Sequence, residues 1–310
     1  AYLGAASRYD DPLGELYLRT ARLTVEGERV EQSLGARWSF APRWLLRPVV
    51  SAAHETLVRT AAEGERLRAR RIFSRAAALA RWDFASGSAL TGLASAECHG
   101  TAEGGAASGC DVAAPTGRLG VEHHLGPVTA LATVGRYVRV PTLGELYGVA
   151  DAVRGNPELR PEAAWSAEAG ARIDVSFRSG GLRGITGELF VFGRAVDDLV
   201  AYRRVGMGYV VPFNVKGARL LGAELLAAAR LGEHITAEVS ATLLDPRDTS
   251  EGRTTTNDVL PYRSRLLLAP SARARLPLRS SWLGDAELFA SYVYQSSRYV
   301  DPAGLAVLPE

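Results

Sequence analysis

Alternation with a period of two runs through most of this sequence. From Trp165 the odd positions read Trp165, Ala167, Ala169, Ala171, Ile173, Val175 and Phe177, and the even positions read Ser166, Glu168, Gly170, Arg172, Asp174, Ser176 and Arg178. Successive side chains of an extended strand point to opposite faces, so this run builds one apolar and one polar face. The rhythm returns at Ile235, Ala237, Val239, Ala241 and Leu243 against Thr236, Glu238, Ser240 and Thr242. It returns again at Ala286, Leu288, Ala290, Tyr292 and Tyr294 against Asp285, Glu287, Ser291 and Gln295. A fourth run sets Ile72, Ser74, Ala76, Ala78, Ala80, Trp82 and Phe84 opposite Arg71, Arg75, Arg81 and Asp83. It weakens near Leu131 and Leu226, where apolar residues fall on both faces.

Many of these runs exceed the five or six residues of an average globular strand, and about fourteen of them follow one another. Their connections alternate in length. Short ones lie at Phe40–Trp44, Phe84–Ser88, Leu125–Val128, Ser179–Arg183 and Leu231–Glu233; long ones at Thr60–Glu65, Gly100–Ala113, Arg139–Glu162 and Pro246–Val259. Tight turns at one rim and long loops at the other are the layout of an antiparallel transmembrane β-barrel. The fold expected is therefore all-β, a partial barrel of about fourteen strands from a larger one, with residues 1–310 as a single domain. Trp44, Trp82, Tyr137, Trp165, Trp282 and Tyr299 fall near strand ends, where aromatic girdles sit. The rival is a soluble β-sandwich, but its strands are shorter, and repeated Arg, Asp and Glu on the second face suit a wet lumen rather than a dry core.

Composition adds exclusions. The net charge of +2, with 23% charged residues, gives no basic footprint for nucleic acid. No run of eighteen apolar residues occurs, so no transmembrane helix is expected, which leaves a barrel untouched because its strands need only about ten residues to cross. The chain opens at Ala1 on sequence that already reads as strand, so a fragment or processed chain is expected. Cys98 and Cys110 flank a Gly- and Ser-rich stretch that reads as loop; a disulfide there suits an oxidising compartment. Free thiols, or a metal site with His99 and Asp111, are the alternatives, although that spacing matches no standard zinc pattern.

No catalytic motif stands up. His54-Glu55 begins a zinc-protease pattern without its second histidine, and Gly206-x-Gly208 lacks the third glycine of a nucleotide loop. His123 and His124 are adjacent, so on a strand they diverge; Asp197 and Asp198 diverge in the same way and read as a solvated strand end. The chain is expected not to be an enzyme and to carry no cofactor and no metal.

One stretch is far more specific. Arg139-Val-Pro141-Thr-Leu-Gly-Glu145-Leu-Tyr147-Gly is followed by Gly155-Asn156-Pro157-Glu-Leu-Arg-Pro161-Glu162. This resembles a signature inside the barrel of TonB-dependent outer-membrane receptors: an Arg-x-Pro, an E-L-Y-G-like segment, then G-N-P-x-L-x-P-E leading into a strand. Further similar segments follow in the family's order: Asp197-Asp-Leu-Val200 resembles its strand end, Asn214…Gly217…Gly222-Ala-Glu224 its strand entry, and Leu260-Pro-Tyr-Arg263 its later strand start. Val138 stands where the family often has an aromatic residue, and Ser264 and Arg265 follow Tyr262-Arg263 where a proline is usual. Physically, Pro157 and Gly155 fix a turn, Pro161 keeps the chain extended into the next strand, and Glu145 and Glu162 are expected to order the loop as hydrogen-bond acceptors, with direct substrate contact as the alternative.

The resemblance implies active uptake of a scarce nutrient, such as a ferric siderophore or cobalamin, across the bacterial outer membrane. It implies outer-membrane lipid, a small-molecule chelate and the TonB energy-coupling protein as partners, the last through a segment outside this chain, and a monomer when complete. Such barrels have about 22 strands around a plug domain, and no plug reads in this chain. An open sheet would face lipid with unpaired edges, so these 310 residues alone are expected not to form the working transporter. Arg172, Asp174, Glu238 and Glu287 are expected to face the lumen. A passive porin-like channel is the second reading, and an outer-membrane barrel enzyme the third.

Overall fold

A computed structural model describes residues 2–11, 21–61, 64–107, 109–149, 153–205, 209–253, 255–277 and 284–310. The chain is a meander. Strands β1 (Tyr2–Asp11), β2 (Ala21–Gly35), β3 (Trp38–Ala41), β4 (Trp44–Ala61), β5 (Arg66–Ala85), β6 (Ser88–Glu103), β7 (Val112–Leu125) and β8 (Val128–Arg139) precede one short helix, α1 (Leu143–Tyr147). There follow β9 (Glu162–Ser176), β10 (Leu182–Val205), β11 (Tyr209–Leu231), β12 (Ile235–Asp248), β13 (Leu266–Pro277), β14 (Asp285–Ser291), β15 (Tyr294–Gln295), β16 (Arg298–Tyr299) and β17 (Val307–Leu308).

All but β16 and β17, which form a separate two-stranded hairpin, belong to one antiparallel sheet ordered β1-β2-β4 through β14, with β3 extending the β2 side and β15 continuing β14 along β13. Each strand of the main run therefore pairs with its neighbours in sequence, as in an up-and-down barrel wall. Among the described residues β1 pairs only with β2, and β14 only with β13.

Register settles which residues share a face. Reading straight across the ladders from β4 to β13, one row is Trp44, Trp82, Leu90, Val121, Ala132, Ala169, Val191, Ala223, Leu243 and Leu266. Ten strands contribute to that row, and none contributes a charged side chain; the indole N–H groups of Trp44 and Trp82 are its only polar side-chain atoms. The neighbouring row on the opposite face is Arg81, Thr91, Gly120, Thr133, Glu168, Phe192, Gly222 and Leu244. The apolar face is the exposed one: Val191 and Leu243 keep 55% and 56% of their surface, and Trp165 keeps 61%. A soluble sheet would bury that face, so the arrangement is the inverted one that lipid demands.

On β10 the apolar rows run from Ile185 through Gly187, Leu189 and Val191 to Gly193, and their partners on β9, β11 and β12 are apolar at every position but the last, Asp245. The eight rises between Ile185 and Gly193, at about 3.4 Å each, span about 27 Å along the strand, which a tilt of about 40° reduces to about 20 Å. That approaches the roughly 25 Å apolar band of outer-membrane barrels. At the short-turn rim Trp38, Phe40, Trp44, Trp82 and Phe84 form a continuous aromatic group, with Trp44 and Trp82 stacked at 5.4 Å.

Among the described residues thirteen strands make the main run, in keeping with the expected count of about fourteen. Other expectations need correction. Asp197-Asp198 is not a strand end: β9 stops pairing there, but β10 continues past Asp198 (φ 54°) to Val205 with its register on β11 unchanged. Asn214–Gly222 is likewise mid-strand, because β11 has already begun at Tyr209. Leu260–Arg263 is a turn ahead of β13, with Tyr262 at φ 58°. Tyr137 packs with the buried cluster of Ala164, Val196 and Leu220 instead of joining a girdle, and Tyr299 sits in the β16–β17 hairpin. Trp282 and the Gly206-x-Gly208 motif lie outside the described residues.

Candidate functional site

The long connection between β8 and β9 crosses the concave face. Its base is an ionic clasp. Arg139, the last residue of β8, stands across the ladder from Glu162, the first of β9. Its guanidinium meets the Glu162 carboxylate with two parallel hydrogen bonds, Nε to Oε2 and Nη2 to Oε1, both 2.9 Å. The remaining Nη1 reaches both oxygens of Glu145 at 3.1 and 3.0 Å. Glu162 is 5% exposed, and its Oε1 also accepts from the Val200 backbone N–H at 2.6 Å. Bidentate, charge-assisted bonds of this kind fix geometry as well as contributing energy.

Glu145 has a second task. It is the third residue of α1, and Thr142 is the cap: Thr142 Oγ1 accepts from the Glu145 N–H (3.1 Å), while Glu145 Oε2 accepts from the Thr142 N–H (2.8 Å). A reciprocal capping box explains why T-L-G-E starts a helix here. Burial raises the Glu145 pKa, but hydrogen bonds from Arg139 and Thr142 outweigh it and hold the carboxyl below its ordinary value. Burial also raises the Tyr147 phenol and lowers the guanidinium of Arg263, which adds positive field at Glu162.

From this clasp the loop reaches both ways. Toward β4 and β5, Leu143 and Tyr147 pack on Val25, Leu57, Leu67 and Ala69. Arg71, itself 5% exposed, donates to the Pro141 carbonyl at 2.5 Å, and Arg59 donates to the Tyr147 carbonyl at 3.3 Å. Toward β10 and β11, Leu146 and Leu159 pack on Val200. Asn156 donates to the Pro212 carbonyl (3.1 Å). Asn214 both accepts from the Arg160 N–H and donates to its carbonyl, at 2.9 and 3.0 Å, and the Arg160 side chain pairs with Asp198 at 2.9 Å. Within the loop the Asn156 N–H closes on the Glu145 carbonyl at 2.9 Å. Four strands, β6 to β9, separate the two landing sites, so the loop is a strap across the inner wall.

All eight expected loop residues therefore lie on one connected element, with Arg139, Glu145 and Glu162 in direct contact. Pro157 sits in the turn and Pro161 immediately precedes β9. Gly155 serves the turn by close approach rather than by a left-handed φ: a Cβ there would lie 2.4 Å from the Leu146 carbonyl oxygen and the Tyr147 carbonyl carbon. Sequence reasoning missed Arg59 and Arg71, 88 and 70 residues from their carbonyl partners. It also missed Asn214 as a receptor for Arg160, although the strand-entry motif contains it.

Elsewhere, Cys98 and Cys110 form a disulfide with Cα atoms 5.3 Å apart. His99 points to the opposite face, stacked on Phe73, so the four residues weighed as a metal site are divided. His123 and His124 bond separately to Ser88 and Thr129. Arg172, Asp174 and Glu238 line a concave recess of about 510 Å³ with Glu188, which pairs with Arg172 at 2.9 Å; Glu287 pairs with Arg273 at 3.3 Å.

Comparison with known proteins fits this geometry. Residues 76–309 match the family described as TonB dependent receptor-like, beta-barrel. The chain belongs to that family, and its place is the bacterial outer membrane. A stretch of 127 residues is 30% identical to the Vitamin B12 transporter BtuB of Vibrio vulnificus (strain YJ016), covering 40% of this chain and 19% of that protein. Among solved structures, the copper transporter OprC superposes with a TM-score of 0.70 at 17% identity, over 97% of this chain and 48% of its own. BauA, the ferric preacinetobactin receptor of Acinetobacter baumannii, gives 0.67 at 12% identity, over 94% and 46%. The chain spans about half the length of these solved relatives.

Proposed function

We propose that this chain is the barrel-wall and surface-loop portion of a receptor that takes up a scarce, bulky nutrient by TonB-dependent transport, with a ferric siderophore or cobalamin as the substrate class. Residues 1–310 form one barrel domain in this reading, the plug and the TonB-engaging segment belong to sequence outside them, and the protein is a non-catalytic monomer without a cofactor. The observation that carries it is the family match over residues 76–309, which contains the whole strap. The relatives' named cargoes, vitamin B12, copper and ferric preacinetobactin, supply the substrate class.

A passive pore is less favoured because the strap lies across the inner wall, where an open channel needs clearance. The test is uptake by cells with and without the gene under iron or cobalamin limitation, repeated in a strain lacking TonB. Loss of uptake of one such nutrient, dependent on TonB, is expected. Unchanged uptake of all of them rejects the receptor, and TonB-independent uptake indicates the pore.

A further inference from the structure

Beyond the clasp, one backbone edge is left open. β9 pairs with β10 only as far as Asp197, whereas β10 runs on to Val205. Over that upper stretch Val200, Tyr202 and Arg204 stand opposite Asn214, Pro212 and Val210 of β11. Opposed residues of an antiparallel ladder exchange main-chain bonds in every second pair. Pro212 has no N–H to exchange, so Tyr202–Pro212 is an unbonded pair, and the alternation makes Val200–Asn214 and Arg204–Val210 unbonded pairs as well. Two contacts agree. The Val210 carbonyl turns away from β10 to accept from the Arg154 N–H at 3.0 Å, and the Val200 N–H turns away from β11 to the Glu162 carboxylate at 2.6 Å.

Tyr202 and Arg204 therefore direct their N–H and C=O groups away from β11. The strap covers the far edge of β11, where Val153 bridges Val210 and Asn156 bonds the Pro212 carbonyl. It leaves the β10 edge bare: among the described residues, no main-chain group of Tyr202 or Arg204 has a partner there. The result is two donors and two acceptors repeating at about 7 Å, the template to which another strand adds. It stands on the long-loop side of the wall, which faces the cell exterior. Arg154, Arg203 and Arg204 surround it, and among the described residues none of the three has a carboxylate within ion-pair distance. Arg154 and Arg203 lie over the Tyr209 and Phe213 rings at 3.8 and 5.1 Å. Asp198 is held by Arg160, and Glu145 and Glu162 by Arg139, so these acids do not neutralise the three arginines.

We propose that the upper edge of β10 binds an extended acidic peptide of an external partner protein by strand addition. Main-chain bonds to Tyr202 and Arg204 supply affinity and register, and the three arginines select for negative charge. Such binding is independent of which nutrient the barrel admits.

The experiment uses the complete protein in lipid nanodiscs and a synthetic peptide of alternating Glu and Val. In the free protein the amides of Tyr202 and Arg204 are expected to exchange fast, and those of Ala201 and Arg203, which bond β11, slowly. The peptide is expected to bind and to protect Tyr202 and Arg204. The same peptide methylated on every backbone nitrogen, and a Lys–Val peptide, are expected not to bind. Arg204→Ala removes charge alone, whereas Arg204→Pro also removes an edge donor and keeps the β10–β11 bonds, since proline is tolerated at sheet edges. The proline variant is expected to bind on the order of tenfold more weakly than the alanine variant. Absence of binding by the Glu–Val peptide overturns the proposal, as does binding that leaves Tyr202 and Arg204 unprotected. So does equal binding of the methylated or the Lys–Val peptide, or equal affinity of the folded proline and alanine variants. If the proline variant does not fold, the three peptides on the wild type decide.

Discussion

Removing the Glu162 carboxylate should release the strap without unfolding the wall. In Glu162→Ala, Arg139 loses both of its 2.9 Å bonds and the Val200 N–H loses its 2.6 Å acceptor. Breaking a fully buried ion pair costs about 3–5 kcal/mol. The Arg139 side chain is 37% exposed, so solvent screens the pair and a share of about 1–2 kcal/mol is appropriate. The orphaned Val200 N–H adds about 1–3 kcal/mol. A combined loss of about 3 kcal/mol moves the opening equilibrium of the strap by roughly 10²-fold. Glu162→Gln keeps an acceptor for Val200 and one for Arg139, and should cost only about 1 kcal/mol. Hydrogen exchange reads this directly. The amides of Leu146, Gly148 and Asn156, each bonded within the strap, should lose about 100-fold in protection in the alanine variant and much less in the glutamine variant. The ladder amides of β4 to β6 should not change. Equal loss in the two variants, or loss spread through the wall, would refute the assignment of Glu162 as the clasp.

Three further outcomes are expected. Because Glu145 has a depressed pKa, its contribution is complete above the ordinary glutamate value of about 4.3 and is lost as pH falls through the lower folded value. Strap protection corrected for intrinsic exchange should therefore hold from pH 7 to about 5 and fall below about 4, and a Glu145→Gln variant should show no such fall. Gly155→Ala places a methyl 2.4 Å from two backbone atoms, so limited proteolysis should cut between residues 143 and 160 in the variant and not in the wild type. Reducing Cys98–Cys110 opens a loop with a sequence separation of 12, worth about 3 kcal/mol in the chain-entropy model; exchange in residues 103–112 should rise while β8 and β9 stay protected.

The wall was legible because its chemistry is local. Trp165 through Phe177 announces both faces within thirteen positions, and the ladder register then only aligns one such run with the next. Long-range partners left no comparable trace. Nothing near Pro141 points to Arg71, and nothing near Glu162 points to the Val200 amide, since both contacts depend on how far the strap reaches across the strands. The Asp197-Asp198 pair misled because a polar doublet inside an apolar run has the composition of a turn; the strand instead runs on through it, with Asp198 in a left-handed conformation and its side chain on Arg160. Tyr137 misled because aromatic residues near a strand end serve equally at a lipid interface and against a buried cluster. Leu226, where the alternation weakened, stands on the concave face opposite Glu188 and lines the recess with Arg172.

Lipid on one side of the sheet and water on the other is most directly tested by spin labels placed one at a time along β9 in the reconstituted protein. Accessibility to oxygen, which concentrates in hydrocarbon, should peak at positions 167, 169, 171 and 173. Accessibility to a water-soluble nickel chelate should peak at 168, 172 and 174. Two interleaved oscillations of period two, in opposite phase, are the predicted result; oscillations in phase, or chelate access at 167 and 173, would contradict it.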